Sequence, residues 1–285
     1  MFNAMKIPRQ IEKAFPSRAS SSHKYSVGTV SVVGGSAHYI HAPSIAALGA
    51  RAAGAGLVHL VVPDASRISA GFLVPEATFT KLTPICVPPR ADVFVVGMGL
   101  GTGESSVVSI SRLLSGSTGR FVLDADALHV LAAWYSKNEW SRPAQGQEII
   151  LTPHEGEAAK LLGCTVDEVR SDRVGTAKAV CGRYGATVVL KGEHTLVVSA
   201  DGERIYENAA GNPYMALGGM GDLLSGAIGA RWAYLKGDPF TAAASAVWLH
   251  SIASDEVVSQ FKDPSLVNTV AQIGSLRVRL ESENK

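Results

Sequence analysis

Six short runs of Val, Leu and Ile that are apolar on both faces constrain this chain more than any other feature. They cover residues 29–33, 57–62, 93–96, 121–124, 149–152 and 187–191. A strand with one solvated face alternates apolar and polar side chains. Strands without that alternation belong to a parallel sheet covered by helices on both sides. Ala-rich segments with helical patterning separate them, over residues 42–53, 104–114, 126–133, 155–162 and 167–184. Thr165 and Glu168 have capping-box spacing at the start of the last of these. After Lys191 the pattern changes. Residues 195–199 and 204–207, joined through Asp201-Gly202, read as a β-hairpin. Helices are expected over about 218–235 and 239–260, with a third in the C-terminal tail. No linker, repeat or low-complexity block divides the sequence. The expected architecture is one doubly wound α/β domain over residues 1–285, with a mostly parallel sheet and helices on both faces.

The charge balance narrows the partners. With 26 Lys+Arg against 25 Asp+Glu, nothing favours nucleic acid or an anionic membrane. Cys86, Cys164 and Cys181 form neither a C-x-x-C pair nor a zinc spacing, which fits reduced thiols in a cytoplasm. The first 26 residues hold no apolar run of signal-peptide length. No apolar stretch reaches the roughly 18–20 residues of a membrane span. A cytoplasmic location is expected.

Ligands of doubly wound sheets bind at the carboxyl ends of the strands, so the residues after each strand carry the functional signal. Gly34-Gly35-Ser36 lets the backbone turn sharply, either for a ligand or only for a strand-to-helix turn. Tyr39 to Pro43 leads into the next helix. The Gly97-Met98-Gly99-Leu100-Gly101-Thr102-Gly103 loop has its last glycine one residue too far for a dinucleotide fingerprint and reads instead as a backbone surface against substrate. In Leu123-Asp124-Ala125-Asp126-Ala127-Leu128, Asp126 is placed as an N-cap. Asp124 is placed either for structure or for a metal-bound water or a phosphate-bound Mg²⁺. His154, after Thr152-Pro153, sits at a helix N-terminus where anionic groups are favoured. Lys191-Gly192 can neutralise a phosphate and leave room for a nucleotide.

The strongest site is Gly218-Gly219-Met220-Gly221-Asp222, which opens an apolar helix. Successive N–H groups at such a start form an anion hole for a phosphoryl group. Asp222 then stands where a carboxylate can take a proton from an attacking hydroxyl. So many glycines would be costly as mere structure.

Gly-x-Gly-Asp at a late helix start resembles the signature of ribokinase-like kinases. Taken with Gly34-Gly35-Ser36, Gly99-Leu100-Gly101, the Asp124–Leu128 run, Leu151-Thr152-Pro153-His154-x-Gly156-Glu157, Leu190-Lys191-Gly192 and Gly211-Asn212-x-x-Met215-Ala216, the order of motifs resembles the ADP/ATP-dependent (S)-NAD(P)H-hydrate dehydratase family. The resemblance runs from about His23 to about Phe261. It implies dehydration of the S epimer of hydrated NADH or NADPH, with ADP or ATP as co-substrate and Mg²⁺ supporting the phosphates. By motif position, Asp222 is the catalytic base and contacts the hydrate, whose pocket is lined by Ala42, Gly101 and His154. Lys191, Gly192, Glu193, His194, Thr195 and Gly221 bind the nucleotide, and no side chain is assigned as a metal ligand. A homotetramer without the N-terminal epimerase domain of some members is also implied. Met98 replaces the family's usual proline, Tyr25 replaces a glycine, and Glu193 and His194 replace small residues. Residues 262–277 lack the family's Gly-rich turn, so no role is carried over there. The rival readings are a ribokinase-like kinase acting on a vitamin-precursor alcohol, and a non-catalytic nucleotide-binding module.

Overall fold

The structure is a computed structural model that describes residues 7–84, 86, 89–115, 119–140 and 145–283. A 3-10 turn (Arg9–Ala14) and the one-turn helix α1 (Lys24–Val27) precede β1 (Thr29–Val33), α2 (Ala42–Ala52) and β2 (Leu57–Val62). Next come α3 (Asp64–Leu73), β3 (Thr78–Lys81), β4 (Val93–Val96), α4 (Glu104–Ser115), β5 (Arg120–Leu123), α5 (Asp126–Ser136) and β6 (Glu148–Leu151). The second half holds α6 (Glu155–Leu162), α7 (Val166–Ser171), α8 (Arg173–Tyr184), β7 (Thr187–Leu190) and the short strands β8 (Leu196–Val198) and β9 (Ile205–Glu207). Three long helices close the chain, α9 (Met220–Leu235), α10 (Pro239–Ser259) and α11 (Leu266–Glu283).

The nine strands form one sheet in the order β3-β2-β1-β4-β5-β6-β7-β8-β9. Every pairing from β3 to β7 is parallel, and the β8–β9 hairpin adds two antiparallel strands at one edge. Successive side chains feed opposite cores. Val30, Val32, Leu60, Val95, Val122 and Ile150 pack under α2, α9, α10 and α11. Val33, Val61, Val96, Phe121, Leu123 and Leu151 pack under α4, α5, α6 and α8. Both faces are dry, which is why these strands read as continuous apolar runs.

Three features depart from the sequence reading. The expected helix over residues 167–184 is two helices, because Asp172 (φ −146°, ψ 78°) leaves helical geometry and its carboxylate accepts the Gly175 N–H at 2.7 Å, capping α8. Asp favours that cap over a helix interior. The Thr165–Glu168 capping box is present, heading α7. Second, α3 and β3 went unread; β3 is a half-exposed edge strand with Thr78 and Thr80, so it lacks the apolar signature of the centre. Third, strands β5, β6 and β7 each end one residue earlier than expected, leaving Asp124, Thr152 and Lys191 just past them.

The crossing of α2 and α9 positions the site. A Cβ at Gly49 would collide with the Leu223 carbonyl oxygen, and one at Gly226 with that of Ala46. The two glycines let the helix backbones touch, which brings the start of α9 to the rim where α2 begins. Gly226→Ala should therefore force the helices apart and lower stability by about 3 kcal/mol, at the upper end of ordinary overpacking costs. Gly274→Ala in α11, where an added methyl meets nothing within 4 Å, should raise it by about 0.5–1 kcal/mol. Urea unfolding of both variants checks the pair; equal effects would contradict the close-crossing account.

Candidate active site

Parallel strands deliver their carboxyl ends to one rim, and the residues just beyond β5, β6 and β7 meet there with the first turn of α9. Asp124, after β5, is 1 % exposed. Its Oδ1 accepts from Lys191 Nζ at 2.8 Å and from the Ala125 N–H at 2.9 Å, and its Oδ2 accepts from Ser225 Oγ at 2.6 Å. Ser225 Oγ lies 3.3 Å from Thr152 Oγ1, so one carboxylate ties the ends of β5, β6 and β7 to α9. Asp124 is thus engaged by protein donors at both oxygens.

The turn that makes this tie is strained. Ala125 adopts φ 49°, a region that L residues avoid, and such conformations cost of order 1–3 kcal/mol unless their surroundings hold them. Gly97 leaves room for the turn, since a Cβ there would collide with the Asp124 carbonyl oxygen. Asp126 corrects the N-cap expectation. Ala125 occupies the cap position, while Asp126 is the first helical residue and its Oδ2 accepts the Gly101 N–H at 2.8 Å across the rim.

His154 caps α6. Its Nδ1 accepts the Gly156 and Glu157 N–H groups at 3.0 and 3.2 Å, and the ring remains 60 % exposed. Glu157 is buried, accepts the His154 N–H at 2.8 Å and lies 3.8 Å from Lys191 Nζ. Lys191 is the ammonium at the centre of these carboxylates. Burial draws its pKa down, and Asp124, Glu157 and Asp222 together carry it back above the ordinary lysine value.

Asp222 differs from its neighbours. Asp124, Asp126 and Glu157 each accept hydrogen bonds, whereas among the described residues no donor reaches the Asp222 carboxylate. No hydrogen bond offsets its desolvation, the largest cause raising its pKa to about 7; Asp124 adds to it, Lys191 opposes it, and Glu157 and Asp126 add a little more. Near neutral pH this carboxyl exchanges a proton readily, which is the property a general base needs.

Beside Lys191 opens a cavity of about 720 Å³. Residues 191–195 form one wall, residues 209–213 another, and Gly221, Leu224 and α10 close it. A Cβ at Gly221 would come within 3.4 Å of Lys191 Nζ, so the ammonium lies against the α9 backbone. Gly219 (φ +92°) caps α9 without any side chain; the Met220 N–H turns back to the Leu217 carbonyl, and the Gly221 and Asp222 N–H groups are those placed for an anion. Arg173 steadies the first wall: it donates to the Leu190 and His194 carbonyl oxygens at 3.3 Å and pairs with Glu155 at 2.5 Å. Asp255 steadies the second, accepting from the Gly211 N–H and from Asn212 Nδ2, both at 2.8 Å.

The structure brings Lys191, Gly192, Glu193, His194, Thr195 and Gly221 together on this cavity. Ala42 (at the start of α2), Gly101 (after β4) and His154 stand outside its wall, at neighbouring strand ends, as does Asp222, which is close enough to Lys191 and to Asp126 to feel both charges. Glu193 and His194 are exposed at the mouth, where His194 Nδ1 sits 3.2 Å from Glu207. Met98 is fully buried and its carbonyl accepts the Gly35 N–H at 2.8 Å, joining the first two glycine loops. Tyr25 is exposed beside Lys24. α11 fills the stretch without family motifs, and Leu266 packs where a Cβ of Gly219 would lie. Sequence reasoning missed Ser225, Arg173, Asp255 and the joint grip of Asp124 and Glu157 on Lys191, since each acts through a partner distant in the chain.

The raised carboxyl has a thermodynamic consequence. A group with a native pKa of about 7 and an ordinary value of 3.8 binds more protons in the folded state over that window, so folding loses stability as pH rises through it. Asp222→Asn should be more stable than the natural protein at pH 8, by about 1–3 kcal/mol, and the gap should close as pH falls to 4. Denaturant midpoints at the two pH values test this; a variant less stable at pH 8 would contradict it.

Comparison with known proteins identifies the family of the chain. Residues 30–272 match the family model described as NAD(P)H-hydrate dehydratase. The ADP-dependent (S)-NAD(P)H-hydrate dehydratase of Neisseria meningitidis serogroup B is 41% identical over 250 residues, 85% of this chain and 81% of that one. The bifunctional NAD(P)H-hydrate repair enzyme of Gloeobacter violaceus is 35% identical over 84% of this chain but only 47% of its own, so the chain spans about half the length of such bifunctional relatives. The ADP/ATP-dependent NAD(P)H-hydrate dehydratase of Bacillus subtilis, co-crystallised with ATP and Mg²⁺, superposes with a TM-score of 0.83 at 26% identity, covering 99% of this chain and 100% of that one. A ribokinase-like superfamily protein from Enterococcus faecalis (TM-score 0.81, 22% identity, 95% and 94% covered) shares the fold. With its fold, its glycine-led helix and its matched length all in agreement, this ribokinase-like chain belongs to the NAD(P)H-hydrate dehydratase family.

Proposed function

We propose that the protein dehydrates the S epimer of hydrated NADH or NADPH at the expense of ADP or ATP. The carrying observation is Asp222, a half-buried carboxyl raised to about 7 in the first turn of a helix without a side-chain cap and near the half-buried Lys191 ammonium. Asp222 takes the proton of the hydroxyl on the hydrated ring. The freed oxygen attacks the terminal phosphorus of the nucleotide; an O–P bond forms, the phosphoanhydride bond breaks, and AMP or ADP is the leaving group. The carbon–oxygen bond then breaks, phosphate departs with that oxygen, and loss of a proton from the adjacent carbon restores the ring double bond. Lys191 and the α9 N–H groups stabilise the phosphoryl charge, a largely electrostatic role in such transfers.

In this reading Lys191, Gly192, Glu193, His194, Thr195 and Gly221 hold the nucleotide, and Ala42, Gly101 and His154 face the hydrate with Asp222. Among the described residues no group of three or more His, Cys, Asp or Glu is placed to hold a metal by itself. A Mg²⁺ ion would be bound mainly by phosphate oxygens and water, with the carboxylates of Asp124 and Glu157, beside Lys191, as the nearby acidic groups. Magnesium would neutralise phosphate charge there. A homotetramer in the cytoplasm completes the proposal. It rests on the family resemblance, the balanced charge and the free thiols of Cys86, Cys164 and Cys181; no described helix is long and apolar enough to cross a membrane.

Purified protein incubated with hydrated NADH, Mg²⁺ and either ADP or ATP should restore the absorbance of the reduced nicotinamide. The rate should rise with pH through about 7 as Asp222 ionises. Asp222→Asn should lose about 10²–10⁴-fold in kcat while keeping its nucleotide affinity. Stable phosphorylated product without recovered NADH would instead favour the alcohol-kinase reading.

A further inference from the structure

The turn of residues 191–195, one wall of the cavity, is held from behind by a single side chain. The break at Asp172 sets Arg173 at the head of α8. Its Nη2 carries two hydrogens and donates to two carbonyl oxygens, those of Leu190 and His194, each at 3.3 Å. These carbonyls bracket the turn, so one nitrogen sets the distance across it. Nη1 reaches the other way, to Glu155 at 2.5 Å, and Glu155 also accepts from Arg170 at 2.8 Å. The guanidinium is thereby tied at one end to the first residue of α6 and at the other to the turn.

Gly192 completes the fit. A Cβ there would come within 2.7 Å of Arg173 Nη2 and 2.8 Å of Nη1, so the cation lies where any side chain at this position would collide with it. The glycine therefore makes room for Arg173 as well as standing on the cavity wall. Within the turn, Thr195 Oγ1 donates to the Gly192 carbonyl at 3.0 Å, and the Lys191 N–H donates to the Pro153 carbonyl at 2.8 Å. Arg173 itself stands behind the wall and off the cavity lining. Arginine suits this place because its rigid fork serves a carboxylate and two carbonyls at once, which a single ammonium on a flexible stem does not.

We propose that Arg173 is a positioning residue for the nucleotide: by holding the Leu190 and His194 carbonyls, it presents residues 191–195 in the shape that the bound nucleotide requires. This rests on the reading of the cavity as the nucleotide site. A loop fixed in its bound shape before the ligand arrives raises affinity, because less ordering remains to be done at binding. The role needs no contact between Arg173 and the ligand.

The test is calorimetric titration of ADP and of ATP, in the absence of any hydrate, into the natural protein, Arg173→Ala and Arg173→Lys. Arg173→Ala should weaken both nucleotides about tenfold with the number of sites per chain unchanged, as expected for loss of hydrogen bonds from a charged donor. Arg173→Lys keeps the charge and can pair with Glu155, but it cannot span both carbonyls, so it should recover only a minor part of the loss. Unchanged affinity with fewer sites per chain is what a merely structural role gives, and would overturn the proposal. Full recovery in Arg173→Lys would also overturn it, because charge alone would then suffice. If Arg173→Ala does not fold, Glu155→Gln frees the other end of the guanidinium at a part-exposed position and should weaken both nucleotides roughly threefold; no weakening there would overturn the proposal. Natural protein that binds nucleotide and shows this dependence yet dehydrates nothing would sink the dehydratase reading and leave this one standing. Natural protein that binds neither nucleotide would sink both.

Discussion

The ion pair between the buried Asp124 carboxylate and the half-buried Lys191 ammonium is the interaction on which the site depends. An ammonium taken out of water is stable only where carboxylates replace its hydration, and removing one partner from such a pair is strongly destabilising. Here Asp124 and Glu157 provide the compensation, and both are themselves held by protein donors. Asp222 is left as a half-buried carboxyl with negative neighbours and no hydrogen bond from the described residues. One arrangement therefore sets two protonation states: Lys191 stays charged for phosphate, and Asp222 stays close to its own midpoint. Pairs of groups pushed apart in this way are how a fold assigns acid–base roles.

The fold makes that arrangement possible by close approach of backbones. Gly49 and Gly226 let α2 and α9 touch, and Gly97 admits the strained turn at Ala125. α9 is buried along most of its length, so its N-terminus cannot shift relative to the strand ends without disturbing the core beneath it. The strain at Ala125 is affordable because Asp124 is fixed on three sides, and it aims the carboxylate at Lys191 rather than along the helix. Preorganisation of this kind costs stability and saves reorganisation when charge moves.

Much of this was legible in the sequence. The central strands announced themselves because both faces are buried, and Gly218-Gly219-x-Gly221-Asp222 announced the site because a glycine run is costly at the start of a buried helix, although Gly219 also serves the turn itself, at φ +92° against Ile45 and Leu266. What was hidden follows a physical pattern. β3 is an edge strand whose polar residues hide its period, and the α7–α8 break depends on Asp172 choosing a cap over a helical turn. Asp126 looked like an N-cap because its spacing fits one, yet its carboxylate is claimed by the Gly101 N–H of another loop.

The central claim is that the ring hydroxyl itself attacks phosphorus, with Asp222 as its base. Hydrated NADH carrying a heavy-oxygen isotope in that hydroxyl tests it directly, by mass spectrometry of the phosphate released in ordinary water. The account predicts that the label leaves in the phosphate. Label found in water, with unlabelled phosphate, would mean that nucleotide hydrolysis and dehydration are separate events, and would contradict it.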